Sequence, residues 1–180
     1  MPLFIEEVSM HTLFQADLSE DRQQIQELFT ELLQWINDSF IQKLGVGFDV
    51  HSRLTEWMAG LEEFHPPNGC LVLVKVDSDV VGVGGVRTIG EGIGEVKHMY
   101  IRPQYRGRGL GRGLLEYVLD QSVSMGHKLI RIDTGWFMET AQNLYRSCGF
   151  REVTPYPESE VPSEIHHLWV FMEKRIEASA

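Results

Sequence analysis

Residues 95–113 read EVKHMYIRPQYRGRGLGRG, and the predicted architecture is built outward from them. The first part, EVKHMYI (95–101), is rich in β-forming residues and stops before Pro103, which has no N–H to donate to a sheet. A run of alternating glycines follows, and the apolar spacing from Leu110 to Leu119 predicts a helix that ends near Gly126. The stretch therefore predicts a strand, a glycine-rich loop and a helix.

The same segment is a local concentration of positive charge. Between residues 97 and 113 the chain carries five basic residues and no acidic one, although its formal net charge is −10. The basic residues are Lys97, Arg102, Arg106, Arg108 and Arg112. Glycines allow a ligand to approach the backbone, and the free amides at the start of a helix favour anions. We therefore expect a phosphate or diphosphate to bind here.

Two common phosphate motifs are absent. A P-loop needs a Gly-Lys pair, and the chain has none. The dinucleotide motif G-x-G-x-x-G fails because its third glycine would fall on Arg112 or Leu114. What remains is R-x-x-G-x-G, formed by Arg106, Gly109 and Gly111.

The rest of the chain supplies alternating helical and strand patterns. An apolar stripe with Ile25 and Leu33 predicts a long helix that begins at Ser19, its expected N-cap. The predicted elements outside 95–126 are a strand at 3–8, helices at 19–45 and 50–63, strands at 70–76 and 80–86 joined by a tight turn at 77–79, a strand at 128–133, a helix around 141–148 and a closing strand at 166–176. This order predicts an α+β fold with a mixed sheet and helices on both sides.

Composition excludes several classes of protein. A length of 180 residues predicts one domain, and so acidic a chain is a poor nucleic-acid binder and is repelled by anionic membranes. We see no signal peptide and no apolar run that could span a membrane. Cys70 and Cys148 are expected to be reduced core thiols of a cytoplasmic protein. No His or Cys spacing predicts a metal site.

In its context, the motif of Arg106, Gly109 and Gly111 resembles the acyl-CoA pyrophosphate loop of the GNAT N-acetyltransferase superfamily. The later segment AQNLYRSCGF (141–150) keeps the spacing of that family, and the resemblance covers about 70–175. It implies a mostly antiparallel sheet with a splayed central strand. It also implies that residues 70–175 bind acetyl-CoA as co-substrate, while 1–69 shape the acceptor site, with Trp35 to Phe48 as candidate pocket wall.

The resemblance assigns cofactor contacts by position. The backbone of Met99, Tyr100 and Ile101 would pair with the pantetheine arm of acetyl-CoA. The pyrophosphate would be held by Arg106, Gly107, Arg108, Gly109, Leu110, Gly111 and Arg112. One departure is Met138, which stands where the family commonly has an asparagine that touches the cofactor; Asn143 is a candidate replacement.

The resemblance also implies catalytic roles. Tyr145 matches the family tyrosine whose hydroxyl protonates the departing CoA thiolate. Glu95 matches a general base and is ranked ahead of His98, which has the more suitable reference pKa. A surface ion pair between Glu95 and Lys97 is the alternative for Glu95. Strict alternation along the strand would turn His98 to the opposite face.

The function that follows is an N-acetyltransferase acting on a primary amine of a small molecule, by direct attack. Two alternatives stay open: a protein N-terminal or lysine acetyltransferase, and a non-catalytic CoA-binding regulator. Homodimers are common in the family, and no residue here decides that question.

Overall fold

The computed structural model describes residues 11–176, so the strand predicted at 3–8 lies outside the described residues. The described elements follow one another around a single sheet. They are β1 (His11–Gln15), α1 (Arg22–Leu44), α2 (Val50–Ala59), β2 (Gly69–Val76), β3 (Asp79–Gly90), β4 (Ile93–Ile101), α3 (Leu110–Ser124), β5 (Leu129–Gly135), α4 (Glu139–Ser147), β6 (Arg151–Val153) and β7 (Trp169–Arg175).

The sheet has seven strands in the order β1-β2-β3-β4-β5-β7-β6. Every neighbouring pair is antiparallel except β4 and β5, which run parallel. One apolar layer packs α1 and α2 against the sheet, and a second layer packs α3 and α4 against its other face. The predicted mixed, mostly antiparallel α+β fold with helices on both faces is confirmed.

Two predicted element starts are wrong. Helix α1 begins at Arg22 and not at Ser19, because the Asp17 carboxylate accepts the amides of Ser19 and Glu20 and holds them in a separate turn. The closing strand begins at Trp169 and not at residue 166, because 163–168 form a short 3₁₀ turn.

Strands β4 and β5 separate partway along their length. They pair only where Ile93–Val96 lies beside Leu129–Ile132. Beyond that point β4 continues beside β3 to Ile101, while β5 continues beside β7 to Gly135. The predicted splayed central strand is confirmed, and the edge of β4 after Val96 is not covered by β5.

A β-bulge lies in β4 at the start of the splay. Val83 pairs with Tyr100 and Gly85 pairs with Lys97, so His98 and Met99 together oppose Gly84. The bulge places His98 at φ +59°, a left-handed conformation unusual for a residue with a side chain. A Cβ at Gly84 would lie 2.5 Å from the Met99 sulfur, so the glycine leaves space for the side chain of Met99.

Candidate active site

The predicted phosphate loop has the geometry of an anion site. Gly107 and Gly109 lie at φ +77° and +79°, the left-handed region that favours glycine. Gly109 is the N-cap of α3, and no side chain caps that helix. The first amides of a helix lack partners within the helix. The start of α3 therefore offers backbone donors that have no partner within the helix, next to a loop that turns at Gly107 and Gly109.

Arg106 is held in position by its neighbours. Its Nε donates to the Ile101 carbonyl oxygen at 2.8 Å. Its guanidinium carbon lies 5.6 Å from the ring centre of Trp35 and 5.7 Å from that of Tyr100. Arg106 is nevertheless exposed, so its charge is presented at the surface beside the loop.

Two further arginines flank the helix start. Arg108 lies over the ring of Tyr105, with its guanidinium carbon 5.4 Å from the ring centre. Arg112 donates to the Ser147 hydroxyl at 2.8 Å, which ties the loop to α4. Both arginines are exposed. Together with Arg106 they surround the amides of α3 with positive charge.

The other two basic residues of the segment have carboxylate partners. Arg102 forms a bidentate pair with Glu31 of α1, with contacts of 2.7 and 3.0 Å. Lys97 lies 3.7 Å from Asp133 and 3.5 Å from Glu160. The positive charge available to a ligand therefore comes from Arg106, Arg108 and Arg112, and not from all five basic residues of the segment.

The uncovered edge of β4 leads from this loop into the molecule. The side chains of Tyr100 and Ile101 are buried, while their backbones pair with β3 on one side only. An extended ligand chain could therefore pair with the backbone at Met99–Ile101 as an added strand.

The splay opens a cavity of about 400 Å³ between the two strands and the helices α1 and α2. Most of its wall is apolar. Its titratable lining residues are Arg53, Lys97, His98, Asp133, Tyr145 and Glu160.

Tyr145 lies on α4 and faces this cavity. Its side chain is buried in the layer that also holds Leu114 and Leu115. Burial raises the pKa of Tyr145, and the negative charge of Asp133 raises it further. The hydroxyl is therefore protonated at neutral pH and can act as a proton donor.

His98 also lines the cavity, on the face that Lys97 occupies. The expectation that alternation turns His98 to the opposite face is wrong, because the bulge interrupts the alternation. The imidazole packs against Phe29, Trp57 and Phe64, with ring centres 4.5, 4.2 and 5.4 Å away. Burial, and then the charges of Lys97 and Arg87, lower the pKa of His98 well below its usual value. The ring is neutral at pH 7.

Glu95 is enclosed in a polar cluster beside the cavity. Its side chain is 0% exposed, and one oxygen accepts from Arg87 Nε at 3.1 Å and Nη2 at 2.8 Å. The other oxygen accepts from the Tyr156 hydroxyl at 3.1 Å. Glu95 is not among the residues that line the cavity. The alternative of a surface pair with Lys97 is wrong, since the partner is Arg87 and the pair is buried.

The sequence interpretation missed Asp133 and Arg87. Asp133 is an acid inside the apolar strand IRIDT, and that pattern is the signal that could have drawn attention to it. Arg87 sits at the end of a glycine-rich strand and gave no comparable signal. At the position of the family asparagine, Met138 accepts from the Thr134 hydroxyl at 3.1 Å. Asn143 is exposed and accepts from Arg146 at 3.1 Å.

Two negative findings apply to the described residues. Between His11 and Ile176 no group of three or more His, Cys, Asp or Glu side chains could hold a metal ion. In that same part of the chain no helix combines the length and apolar character needed to cross a bilayer.

Comparison with known proteins agrees with this geometry. Residues 28–150 match the family described as "Acetyltransferase (GNAT) family". The chain is 31% identical over 128 residues to the IAA acetyltransferase of Azospirillum brasilense, covering 70% of this chain and 80% of that protein. It is 28% identical over 130 residues to an uncharacterized N-acetyltransferase of Schizosaccharomyces pombe, covering 71% and 79% of the two chains.

A solved structure gives the same fold. The PaiA N-acetyltransferase from Thermoplasma acidophilum, in complex with coenzyme A, superposes with a TM-score of 0.71 at 15% identity, covering 93% of this chain and 99% of that one. The chain belongs to the GNAT family of acetyltransferases. It is an acyltransferase of the N-acetyltransferase type.

Proposed function

We propose that this enzyme transfers the acetyl group of acetyl-CoA to a primary amine of a small molecule. One observation carries the proposal. The glycine loop at the start of α3 and the uncovered edge of β4 lead to a single cavity that contains Tyr145. A diphosphate site, a strand-like groove and a proton donor are therefore arranged in the order that an acyl-CoA would need.

Binding of acetyl-CoA divides between the loop and β4. The amides from Gly107 to Arg112, with the charges of Arg106 and Arg108, would hold the diphosphate. The backbone at Met99–Ile101 would pair with the pantetheine arm. In this assignment residues 70–175 bind the co-substrate, and 1–69 shape the acceptor site. Helices α1 and α2 support that division because they form one wall of the cavity.

The transfer needs one proton donor and one proton acceptor. The neutral amine nitrogen attacks the thioester carbonyl carbon, the new C–N bond forms and the C–S bond breaks. Tyr145 gives its proton to the departing thiolate, and the proton lost by the amine goes to a base. A backbone amide of β4 past the splay would stabilise the developing negative charge on the carbonyl oxygen.

For the base we place His98 ahead of Glu95. His98 lines the cavity, which Glu95 does not, and one nitrogen of its neutral ring carries no proton at pH 7. Because burial lowers the pKa of His98, the ring would pass the proton of the amine onward and not retain it. The Glu95 carboxylate is already bound by Arg87 and Tyr156, and a proton could reach it only by a relay. We assign Glu95 to holding this polar cluster together.

Support for a small acceptor comes from the cavity. It is enclosed by α1 and α2 and holds about 400 Å³, which suits a small molecule better than an extended peptide. The relative named IAA acetyltransferase supports the same choice. A protein N-terminal or lysine acetyltransferase is the alternative that the experiment below separates.

Thiol release tests the proposal. Purified enzyme with acetyl-CoA is offered a panel of small amines and peptides, and free CoA thiol is measured. Release with small amines supports the proposal, whereas release with peptides alone would transfer the activity to proteins. Tight CoA binding by calorimetry, with no release from any acceptor, would instead indicate a CoA-binding regulator. No CoA binding at millimolar concentration would overturn the assignment of the loop.

A further inference from the structure

We infer that the acceptor is a monoamine with an apolar, aromatic body, and that the Asp133 carboxylate receives its ammonium group. This inference rests on the proposed function and specifies its substrate class. Asp133 lies on β5 immediately past the point where β4 and β5 separate, and it lines the cavity.

One oxygen of Asp133 lacks a hydrogen-bond donor. The side chain is only 9% exposed. Its Oδ1 accepts from the indole nitrogen of Trp169 at 2.8 Å, which fixes the carboxylate in place. Its Oδ2 is buried and has no hydrogen-bond partner among the described residues. Lys97 Nζ is 3.7 Å away, beyond hydrogen-bond distance. A buried carboxylate oxygen normally has a donor, so this position is suited to one from a ligand.

The chain of ion pairs that contains Asp133 favours a cationic ligand, although Arg53 also lines the cavity. Lys97 and Asp133 belong to a chain of ion pairs in which two cations serve four carboxylates. Its members are Arg87, Lys97, Glu63, Glu95, Asp133 and Glu160. The cluster therefore carries an excess of negative charge, and an ammonium group in the cavity would reduce it.

Only one of these carboxylates needs a ligand. Glu63 and Glu160 are 53% and 59% exposed, so water solvates them. Glu95 is buried but accepts three hydrogen bonds. Of these four carboxylates, Asp133 alone is buried and has an oxygen without a hydrogen-bond donor. The cluster therefore offers one buried binding position for an ammonium group and not several.

The walls next to Asp133 are aromatic. Phe40, Phe48 and Trp169 line the cavity, and the ring centre of Phe40 lies 6.0 Å from that of Phe48 and 5.9 Å from that of Trp169. Trp169 also holds Asp133, so the anchor and the aromatic surface are adjacent. An aromatic body would gain from burial against these rings, and the unpaired oxygen of Asp133 provides one anchor for an ammonium group.

The anchor is also close to the proton donor. Asp133 and Tyr145 line the same cavity, and the negative charge of Asp133 contributes to the raised pKa of the Tyr145 hydroxyl. An ammonium group bound at Asp133 would lie in the same cavity as Tyr145 and His98. Its nitrogen would give one proton to the base, His98 in the proposed function, before it attacks the thioester.

Steady-state kinetics with phenethylamine and spermidine test the substrate class. We expect kcat/KM for phenethylamine to exceed that for spermidine by about tenfold or more. Thiol release with spermidine but not with phenethylamine would refute the inference and leave the proposed function standing. If none of the amines leads to thiol release, both this inference and the proposed function are refuted.

Asp133→Asn tests the anchor, since the amide keeps the volume and can still accept from Trp169. We expect the KM for phenethylamine to rise by about 10- to 100-fold, while the KM for acetyl-CoA is unchanged. Phenethyl alcohol, a neutral isostere, should inhibit the wild type and the variant equally, which also shows that the variant cavity is intact. Asp120→Asn, on the exposed face of α3, is the matched control. An unchanged amine KM, or an equal loss of alcohol binding, would overturn the assignment.

Discussion

Replacing Glu95 by Gln separates a structural from a catalytic carboxylate. Glu95 is 0% exposed and accepts two bonds from Arg87 and one from Tyr156. Breaking a buried ion pair by removing one partner costs about 3–5 kcal/mol. Here Arg87 keeps Glu63 and Glu160, and the amide keeps an acceptor oxygen. We therefore expect the free energy of unfolding to fall by about 2–3 kcal/mol.

For a chain of this length each kcal/mol corresponds to about 2–4 °C, so the melting temperature should fall by about 5–10 °C. Heat and urea unfolding followed by circular dichroism measure this loss. Glu63→Gln is the matched control because Glu63 pairs with the same Arg87 but is half exposed. Its loss should stay below about 1 kcal/mol.

Kinetics of the same two variants complete the test. At a temperature where both are folded, the kcat of Glu95→Gln should stay within about threefold of the wild type if Glu95 only holds the cluster together. A direct general base contributes about 10²–10⁴-fold. A loss of that size with unchanged stability would refute the structural assignment of Glu95 and restore it as the base.

Three further predictions follow from the site. Tyr145→Phe should lower kcat by about 100-fold or more and leave the KM for acetyl-CoA within about threefold, and unchanged turnover would remove the proton-donor role. Gly109→Ala and Gly126→Ala both place a side chain at positive φ, and each should lower the free energy of unfolding by about 1 kcal/mol. Only Gly109→Ala should weaken CoA binding measured by calorimetry. Equal CoA affinities of the two variants would contradict the loop assignment. Folding lowers the pKa of His98, so on acidification the unfolded chain takes up a proton at this histidine before the folded protein does, and the free energy of unfolding falls as the pH drops below about 6.5. Between about pH 7 and about pH 5.5, urea unfolding should show that His98→Asn loses about 1 kcal/mol less of this free energy than the wild type. Equal losses would show that this histidine does not titrate differently in the two states.

The sequence predicted what depends on local pattern. The glycines of the loop require positive φ, and Gly107 and Gly109 adopt it. The apolar spacing after the loop predicted α3, which runs from Leu110 to Ser124. Each feature depends on a few neighbouring residues, so the local sequence pattern was sufficient to predict it.

The polar cluster could not be predicted in that way. The partner of Glu95 is Arg87, on the neighbouring strand, and Tyr156 reaches it from a loop 61 residues further along the chain. Lys97 lies two residues from Glu95 and was the partner expected from local spacing, but it pairs with Asp133 and Glu160 instead. Which carboxylate a buried cation meets depends on sheet register, and one sequence alone does not reveal register.

The bulge in β4 links the separate parts of the site. Gly84 on the neighbouring strand leaves space for the Met99 side chain, since a Cβ there would lie 2.5 Å from the Met99 sulfur. With regular alternation Lys97 and His98 would point to opposite faces; with the bulge both reach the cavity. The same irregularity lies where β5 leaves β4, so the strand changes register at the point where its edge becomes available to a ligand. One local distortion thus turns His98 toward the cavity and lies where the edge of β4 becomes uncovered, and it holds a residue with a side chain at a left-handed angle.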